Sequence, residues 1–305
     1  MNELLNDVIE KNIGYTHSGR VADYIPELAK VDKHKLGISI VTKENAVYCA
    51  GDYAEKFTMQ SVVKPLIFLL ALIDNGIDRV RELVGVEATG KPFDGFNYSD
   101  QKLSRENINP MVNAGAIAMC TLIKGDTYER KFARLLDLAR TASGNPQLAV
   151  DEKVYLSEKA TGSKNRALAY MMKAYGLIDE DVEAVLECYF RACSISVTAR
   201  DLANIGLVFA NGGVLPGENE PLFEKKYCQY VNAVLITSGM YDGSGEFALN
   251  VGVPAKSGVG GGIMAVVPGK MGIGIFSPAL DKKGNSIAGV KALEMLSNQL
   301  ELSVF

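Results

Sequence analysis

Gln60-Ser61-Val62-Val63-Lys64-Pro65 places a serine and a lysine three residues apart where a helix begins. An apolar run from Leu66 to Ile73 follows, closed by Asp74-Asn75-Gly76, the pattern of a helix with a glycine C-cap. The i, i+3 spacing sets both side chains on one helix face. A serine hydroxyl is a weak nucleophile until a neighbouring base takes its proton. A lysine amine serves as that base only when burial or nearby positive charge favours its neutral form. The helix N-terminus offers some of that charge, and the apolar neighbours offer the burial. Pro65 has no N–H to donate to the Ser61 carbonyl, so the helix starts at about Ser61 or is distorted there. On this pair alone two readings stand: an activated serine, or a small helix-start residue with Lys64 snorkelling outward. A second Ser-x-x-Lys, Ser99-Asp100-Gln101-Lys102, sits in a polar stretch without an apolar period and reads as a solvated loop.

Lys256-Ser257-Gly258, at the end of a strand-like segment, tilts the choice. Ser-x-x-Lys near the front and Lys-[Ser/Thr]-Gly near the back resemble two of the three signatures of serine β-lactamases and penicillin-binding proteins. In that layout the second lysine lies on a strand beside the nucleophile and donates to the substrate. The third signature, Ser-Asp-Asn, is missing, which points to a relative of the same fold with another substrate.

The 305 residues suffice for a substantial core in one large domain or two smaller ones, and 48% hydrophobic with 22% charged residues is an ordinary globular composition. A net charge of −4 with scattered Lys and Arg gives no support for nucleic-acid binding. The longest apolar run, Val62 to Ile73, is broken by Lys64 and Pro65 and is too short to span a bilayer. Met1-Asn2-Glu3-Leu4-Leu5-Asn6-Asp7 lacks the basic and apolar regions of a signal peptide. The five cysteines contain no Cys-x-x-Cys pair and read as reduced, mostly buried residues of a cytoplasmic protein. Only two histidines are present, His17 and His34, and neither has a partner at metal-ligand or triad spacing. They read as surface residues, which leaves lysine and tyrosine as the candidates for proton transfer.

Residues 1–13 carry the apolar spacing of an amphipathic helix, and Leu36 to Thr42 with Ala46 to Ala50 form a hairpin pattern around Lys43-Glu44-Asn45. Helical periodicity dominates from Ser61 to about Lys226, in Val112–Ile123, Glu129–Thr141, Asn165–Tyr175, Asp179–Cys193 and Thr198–Asn211, and Leu235–Tyr241 reads as a helix end. Strand character returns in Phe247–Lys256, Gly260–Val267 and Met271–Phe276, before a closing helix over Gly289–Leu302. Strands at both chain ends with a helical middle imply an α+β protein with one sheet assembled from the termini. The expected organisation is a single catalytic domain over 1–305: a sheet lobe of about 1–60 and 235–305, a helical lobe of about 61–234, and a site in the cleft between them.

Over nearly its whole length the chain resembles the bacterial and mitochondrial-type glutaminases, which have the serine β-lactamase-like fold. The carrying motifs are Val21-Ala22-Asp23-Tyr24-Ile25-Pro26-Glu27-Leu28, Gln60-Ser61-Val62-Val63-Lys64, Asn109-Pro110-Met111-Val112-Asn113-Ala114-Gly115-Ala116 and Cys193-Ser194-Ile195-Ser196-Val197-Thr198. Gly239-Met240-Tyr241-Asp242, Pro254-Ala255-Lys256-Ser257-Gly258-Val259 and Gly284-Asn285-Ser286 follow in family order. The resemblance implies an antiparallel sheet with flanking helices and an inserted helical lobe, and hydrolysis of L-glutamine to L-glutamate and ammonia without metal or cofactor. It implies Ser61 as nucleophile and Lys64 as its base. Tyr241 would stand beside that pair, and the Val259 N–H would help hold the substrate oxygen. Tyr24, Asn113, Glu158, Asn165 and Tyr189 complete the implied substrate contacts. Taken singly, Asn113 also reads as a helix cap, Tyr189 and Tyr241 as core aromatics, and Glu158 as a solvated carboxylate. The Gly258-to-Gly262 run leads from strand to strand, with no helix N-terminus for a phosphate, and reads as room for a substrate carbonyl to approach the backbone. A homotetramer is the assembly that the resemblance implies. A penicillin-recognising acyl transferase and a catalytically silent binding protein are the rival readings.

Overall fold

The computed structural model describes residues 1–88 and 108–305, so Ser99-Asp100-Gln101-Lys102 lies outside the described residues. Strands β1 (Gly37–Thr42) and β2 (Val47–Gly51) form the expected hairpin, with Asn45 in the left-handed region at its turn. A short pair, β3 (Phe57–Thr58) and β4 (Ser196–Val197), sits apart from the main sheet. The C-terminal strands are β5 (Ala255–Ser257), β6 (Gly262–Val267) and β7 (Met271–Phe276). The main sheet is antiparallel in the order β2-β1-β7-β6-β5, joined across the chain ends by the pairing of Ile38 with Ile275.

Both faces of this sheet are covered. Ile38, Ile40, Ile263, Ala265, Ile273 and Ile275 share one core with α1 (Asn2–Asn12) and α11 (Ile287–Leu300). The alternate residues Val41, Met264, Val266 and Phe276 belong to the other core, together with α8 (Ala199–Ala210). The period-2 alternation of a strand distributes these side chains. Gly272 and Gly274 let α8 lie directly on β7: a Cβ at either would stand 2.0 or 1.9 Å from the Ala203 or Ala199 carbonyl oxygen.

The larger core gathers α2 (Lys64–Leu83), α3 (Asn113–Leu122), α4 (Tyr128–Ser143), α5 (Glu152–Thr161), α6 (Ser163–Ala174), α7 (Val182–Cys193) and α9 (Lys225–Ser238). Helix α2 is its axis: Leu66, Ile67, Phe68, Leu69 and Leu72 are buried, and full burial of each such side chain contributes about 1.5–3 kcal/mol. Gly76 (φ +78°) interrupts it where the Asp74-Asn75-Gly76 pattern predicts a stop, and a further helical segment continues to Leu83. Gln60–Leu83 has the length and apolarity of a membrane span, but most of it is buried inside the protein, as in a core helix.

Two sequence expectations need correction. Phe247–Asn250 is the second half of a short helix, α10 (Ser244–Asn250), so the predicted strand shrinks to Ala255–Ser257. Local hydrogen bonding overrides the β-rich composition there: the Ser244 hydroxyl accepts from the Met240 N–H and donates to the Tyr241 carbonyl, turning the chain into the helix. Helix α9 ends at Ser238, and Tyr241–Gly243 forms a separate 3₁₀ turn. Helix α5 has no counterpart in the sequence reading. It buries only Val154, Tyr155 and Glu158, and a carboxylate on the buried face erases the apolar period.

Candidate active site

Ser61 lies in a 3₁₀ turn, Gln60–Val63, and Lys64 is the first residue of α2, so the helix is distorted at its start as Pro65 requires. Lys64 points inward and is fully buried, which removes the outward-snorkelling reading. Its Nζ donates to the Asn113 Oδ1 at 2.7 Å and the Met111 carbonyl at 3.2 Å. Asn113 therefore spends its side chain on the site and makes no helix cap. Its Oδ1 also accepts from the Tyr189 hydroxyl at 3.3 Å, and its Nδ2 donates to the Asn165 Oδ1 at 2.9 Å. Four elements, α2, α3, α6 and α7, are thus tied at one point.

A cavity of about 440 Å³ opens beside this cluster. Tyr24, Ser61, Asn113, Glu158, Asn165 and Tyr189 line it, joined by residues to which the sequence reading gives no role: Gln60, Cys193, Lys164, Asp242, Lys282 and Lys283. Tyr24 is exposed, as are Lys164, Asp242, Lys282 and Lys283. Lys64, Tyr241 and Val259 are not on the wall but stand buried behind it. The Tyr241 hydroxyl meets Ser61; burial raises its pKa well above the ordinary phenol value, and the contact with Ser61 lowers it in part.

Glu158 is buried, not solvated; α5 and α6 meet at Gly162, and Glu158 and Asn165 both line the cavity. Burial pushes its carboxyl up to about 8, against the opposing pull of the Gln60 amide, the Lys64 charge, Cys193 and Ser194. Gln60 Nε2 donates to Glu158 Oε2 at 3.3 Å and to Thr58 Oγ1 at 3.3 Å. Burial likewise raises the Tyr189 hydroxyl and the Cys193 thiol well above their ordinary values, so both are held neutral. A fully buried carboxyl facing an open cavity gains most from a ligand cation, which restores its ionised form.

Two non-glycine residues at this site adopt left-handed backbone, Gln60 (φ +47°) and Tyr241 (φ +54°). Such conformations cost on the order of 1–3 kcal/mol and persist where the surroundings over-determine them. Here they aim the residues immediately before and beside Ser61. The turn between β5 and β6 adds the last component. A Cβ at Gly258 or Gly260 would come within 2.6 or 2.5 Å of the Met59 or Thr58 carbonyl oxygen. These glycines therefore admit the chain leading into Ser61. Their packing brings Val259 close to the turn that holds Ser61. Among the described residues nothing accepts a hydrogen bond from the Val259 N–H.

The remaining sequence expectations fall away from the site. His17 and His34 lie at the surface with ring centroids 4.7 Å apart. All five cysteines are free, and among the described residues no group of three His, Cys, Asp or Glu side chains could hold a metal ion. Lys256 does not line the cavity; its Nζ lies 4.2 Å from the centroid of the Tyr241 ring.

A five-stranded antiparallel sheet covered by helices on both faces, with Ser61 and Lys64 at the head of the buried helix, defines an enzyme of the serine β-lactamase-like fold. The glutaminase family model matches residues 19–305. A glutaminase of Clostridium tetani (strain Massachusetts / E88) is 51% identical, and glutaminase 2 of Clostridium perfringens (strain 13 / Type A) is 50% identical, each over the full length of both chains. A solved structure of a probable glutaminase from Bacillus subtilis complexed with 6-diazo-5-oxo-L-norleucine is similar with a TM-score of 0.91 and 37% identity, over 100% of this chain and 97% of that one. A covalent complex of a Bacillus subtilis glutaminase with 5-oxo-L-norleucine gives a TM-score of 0.91 and 36% identity, over 100% of this chain and 99% of that one. The chain belongs to the glutaminase family, hydrolases that act on the amide of glutamine.

Proposed function

We propose that this chain hydrolyses the side-chain amide of L-glutamine through an acyl-enzyme on Ser61. The observation that carries the proposal is that buried Ser61 and a buried carboxyl, Glu158, line one cavity, with Lys64 buried at the head of the helix that Ser61 leads into. Burial disfavours the charged form of Lys64, whose amine then takes the Ser61 proton as Oγ attacks the amide carbon. The Ser61 and Val259 N–H groups receive the oxyanion; one such donor is worth about 10²–10³ in kcat. As the C–N bond breaks, the leaving nitrogen receives the proton through Tyr241 and departs as ammonia. Water then cleaves the ester, which releases L-glutamate and restores Ser61.

Recognition of the amino-acid end falls to Glu158 for the α-ammonium, with Asn113, Asn165, Tyr189 and Tyr24 supplying polar partners for the rest. We read the protein as a cytoplasmic homotetramer that acts on a small molecule, with no nucleic-acid or membrane partner and no cofactor in the scheme. We also read it as a single two-lobed domain, with sheet segments of about 1–60 and 235–305 and a middle segment of about 61–234 from which α8 returns to the sheet.

Glu158 gives the test of selectivity. A charge-assisted hydrogen bond to a buried ammonium is worth roughly 1.5–3 kcal/mol. Glu158→Gln should lower kcat/KM for glutamine by about 10- to 150-fold and hurt an analogue lacking the α-amino group far less. The carboxyl is largely protonated below a pKa of about 8 in the free enzyme. Binding an ammonium ion favours the carboxylate, so an amino-acid ligand binding near pH 7 should release a proton. Calorimetry of L-glutamate binding in buffers of different ionisation enthalpy reads this directly. Buffer-independent heats, or equal losses on both substrates in Glu158→Gln, would place the ammonium ligand elsewhere.

A further inference from the structure

Glu158 and Asn165 reach the cavity from α5 and α6, two helices with short apolar faces. Helix α5 buries Val154 and Tyr155 beside Glu158, and α6 buries Leu168, Ala169 and Met172. A binding constellation needs its groups held within about 0.5 Å by packing and hydrogen bonds behind them. Those bonds come from α7, which also carries Tyr189 to the same cavity. Glu187 stands two residues before Tyr189, and that spacing turns it toward the other side of the helix.

Glu187 joins α7 to α5 through both of its oxygens. Oε1 pairs with the Lys159 ammonium, and Oε2 accepts the Tyr155 hydroxyl. Arg191, one turn further along α7, brings its Nε to 3.9 Å from Oε2 and its guanidinium carbon to 4.3 Å from the centroid of the Tyr155 ring. Only 13% of the Glu187 side chain is exposed, so solvent and salt screen these charges less than those of a surface pair. Burial resists the Glu187 charge, but Lys159, Tyr155 and Arg191 outweigh it and hold the carboxyl below its ordinary value. Lys159 follows Glu158 directly and Tyr155 precedes it by three residues. Both grips therefore fall within one turn of the carboxyl that lines the cavity.

A second tie runs to α6. Arg166, next to Asn165, donates its Nη1 to the Lys159 carbonyl at 2.8 Å and its Nε to Glu183 Oε2 at 3.4 Å. Its guanidinium carbon stands 5.6 Å from the centroid of the Phe190 ring. The corner between α5 and α6 rests on that same ring, since a Cβ at Gly162 would stand 2.6 Å from it. The Arg166–Glu183 pair is the more open of the two, at 28% and 45% side-chain exposure, and contributes less. Glu187 is the stronger hold.

We propose that Glu187 is a positioning residue for substrate selection: through Lys159 and Tyr155 it fixes α5 against α7, and so keeps the Glu158 carboxyl where the substrate α-ammonium meets it. The proposal rests on the ammonium role given above to Glu158. The experiment measures kcat and KM for glutamine, and kcat/KM for the analogue lacking the α-amino group. The variants are Glu187→Ala, Glu158→Gln, their double and Lys159→Met, each with a thermal melt. A contact made equally in the ground and transition states acts on KM and leaves kcat alone. Glu187→Ala should therefore raise KM for glutamine by roughly 5- to 30-fold, a part of what Glu158 itself is worth, with kcat within about threefold. The analogue has no ammonium to place, so its kcat/KM should stay within about threefold of the parent. The double variant should lose little beyond Glu158→Gln alone, because Glu187 acts through Glu158.

A tie that serves only stability predicts otherwise: equal losses on glutamine and the analogue, or losses that add fully to those of Glu158→Gln. Either result would overturn the proposal. A parent-like KM in folded Glu187→Ala, beside a Glu158→Gln enzyme that discriminates the two substrates, would remove Glu187 alone. Equal losses on both substrates in Glu158→Gln would remove the ammonium reading of Glu158, and the role of Glu187 with it. Should Glu187→Ala fail to fold, Lys159→Met breaks the same link from its more exposed end. It should raise KM for glutamine by roughly 3- to 10-fold and spare the analogue, and an unchanged KM is then the contrary result.

Discussion

Ser61→Ala should lower kcat for glutamine hydrolysis by about 10⁴-fold or more, with KM within a few-fold of the parent. The loss follows from removing the atom that forms the acyl bond, while the oxyanion donors and the substrate contacts stay in place. The side chain is small and its turn is fixed by neighbours, with the Val62 N–H bonded to the Met59 carbonyl and β3 paired to β4 just before it. The variant should therefore fold normally. Ammonia release coupled to a thermal melt checks both halves. A folded Ser61→Ala enzyme that keeps more than about a hundredth of the parent kcat would remove Ser61 from the chemistry.

Lys64→Arg has the next largest expected effect, about 10²–10⁴-fold in kcat, the span of a lost general base. Arginine stays protonated at every accessible pH, so it can donate but cannot accept the serine proton. The Asn113 Oδ1 and the Met111 carbonyl are both acceptors and would receive a guanidinium. A loss of charge control would spare this substitution; a loss of basicity does not. In the parent, kcat should rise with pH as Lys64 gives up its proton, and Lys64→Arg should have no such limb. Retention of more than about a tenth of the activity in Lys64→Arg would reject the role.

The front of the site was legible in the sequence because its chemistry is local. Ser61, Lys64 and Pro65 share one helix start, and the missing N–H of proline alone requires a distorted first turn, which is the 3₁₀ turn observed. The sheet was legible because its strands carry apolar residues on both faces and are bounded by turn residues. What failed depends on contacts distant in the chain. Glu158 looks like any carboxylate until α5 and α6 meet at Gly162, and the same charge hid α5 from a periodicity reading. Phe247 carries strand propensity, but the hydroxyl of Ser244 turns the chain into a helix three residues earlier. Lys256 sits in a motif that suggests substrate contact, yet its three partners are two carbonyls and a ring from its own protein. Gln60 has no legible role in the sequence beyond flanking Ser61, and only the fold gives it a bond to Glu158 and a left-handed backbone.

The central claim is that Ser61 forms the covalent bond, and the cavity contains a real competitor, because Cys193 lines the same wall. The thiol is held neutral by burial, so it should be a poor nucleophile there. Treating the protein with 6-diazo-5-oxo-L-norleucine and mapping the adduct by peptide mass spectrometry separates the two. The expected result is one adduct per chain, on the peptide bearing Ser61, abolished in Ser61→Ala and preserved in Cys193→Ser. An adduct on Cys193 that survives Ser61→Ala would contradict the account and make the protein a thiol amidase.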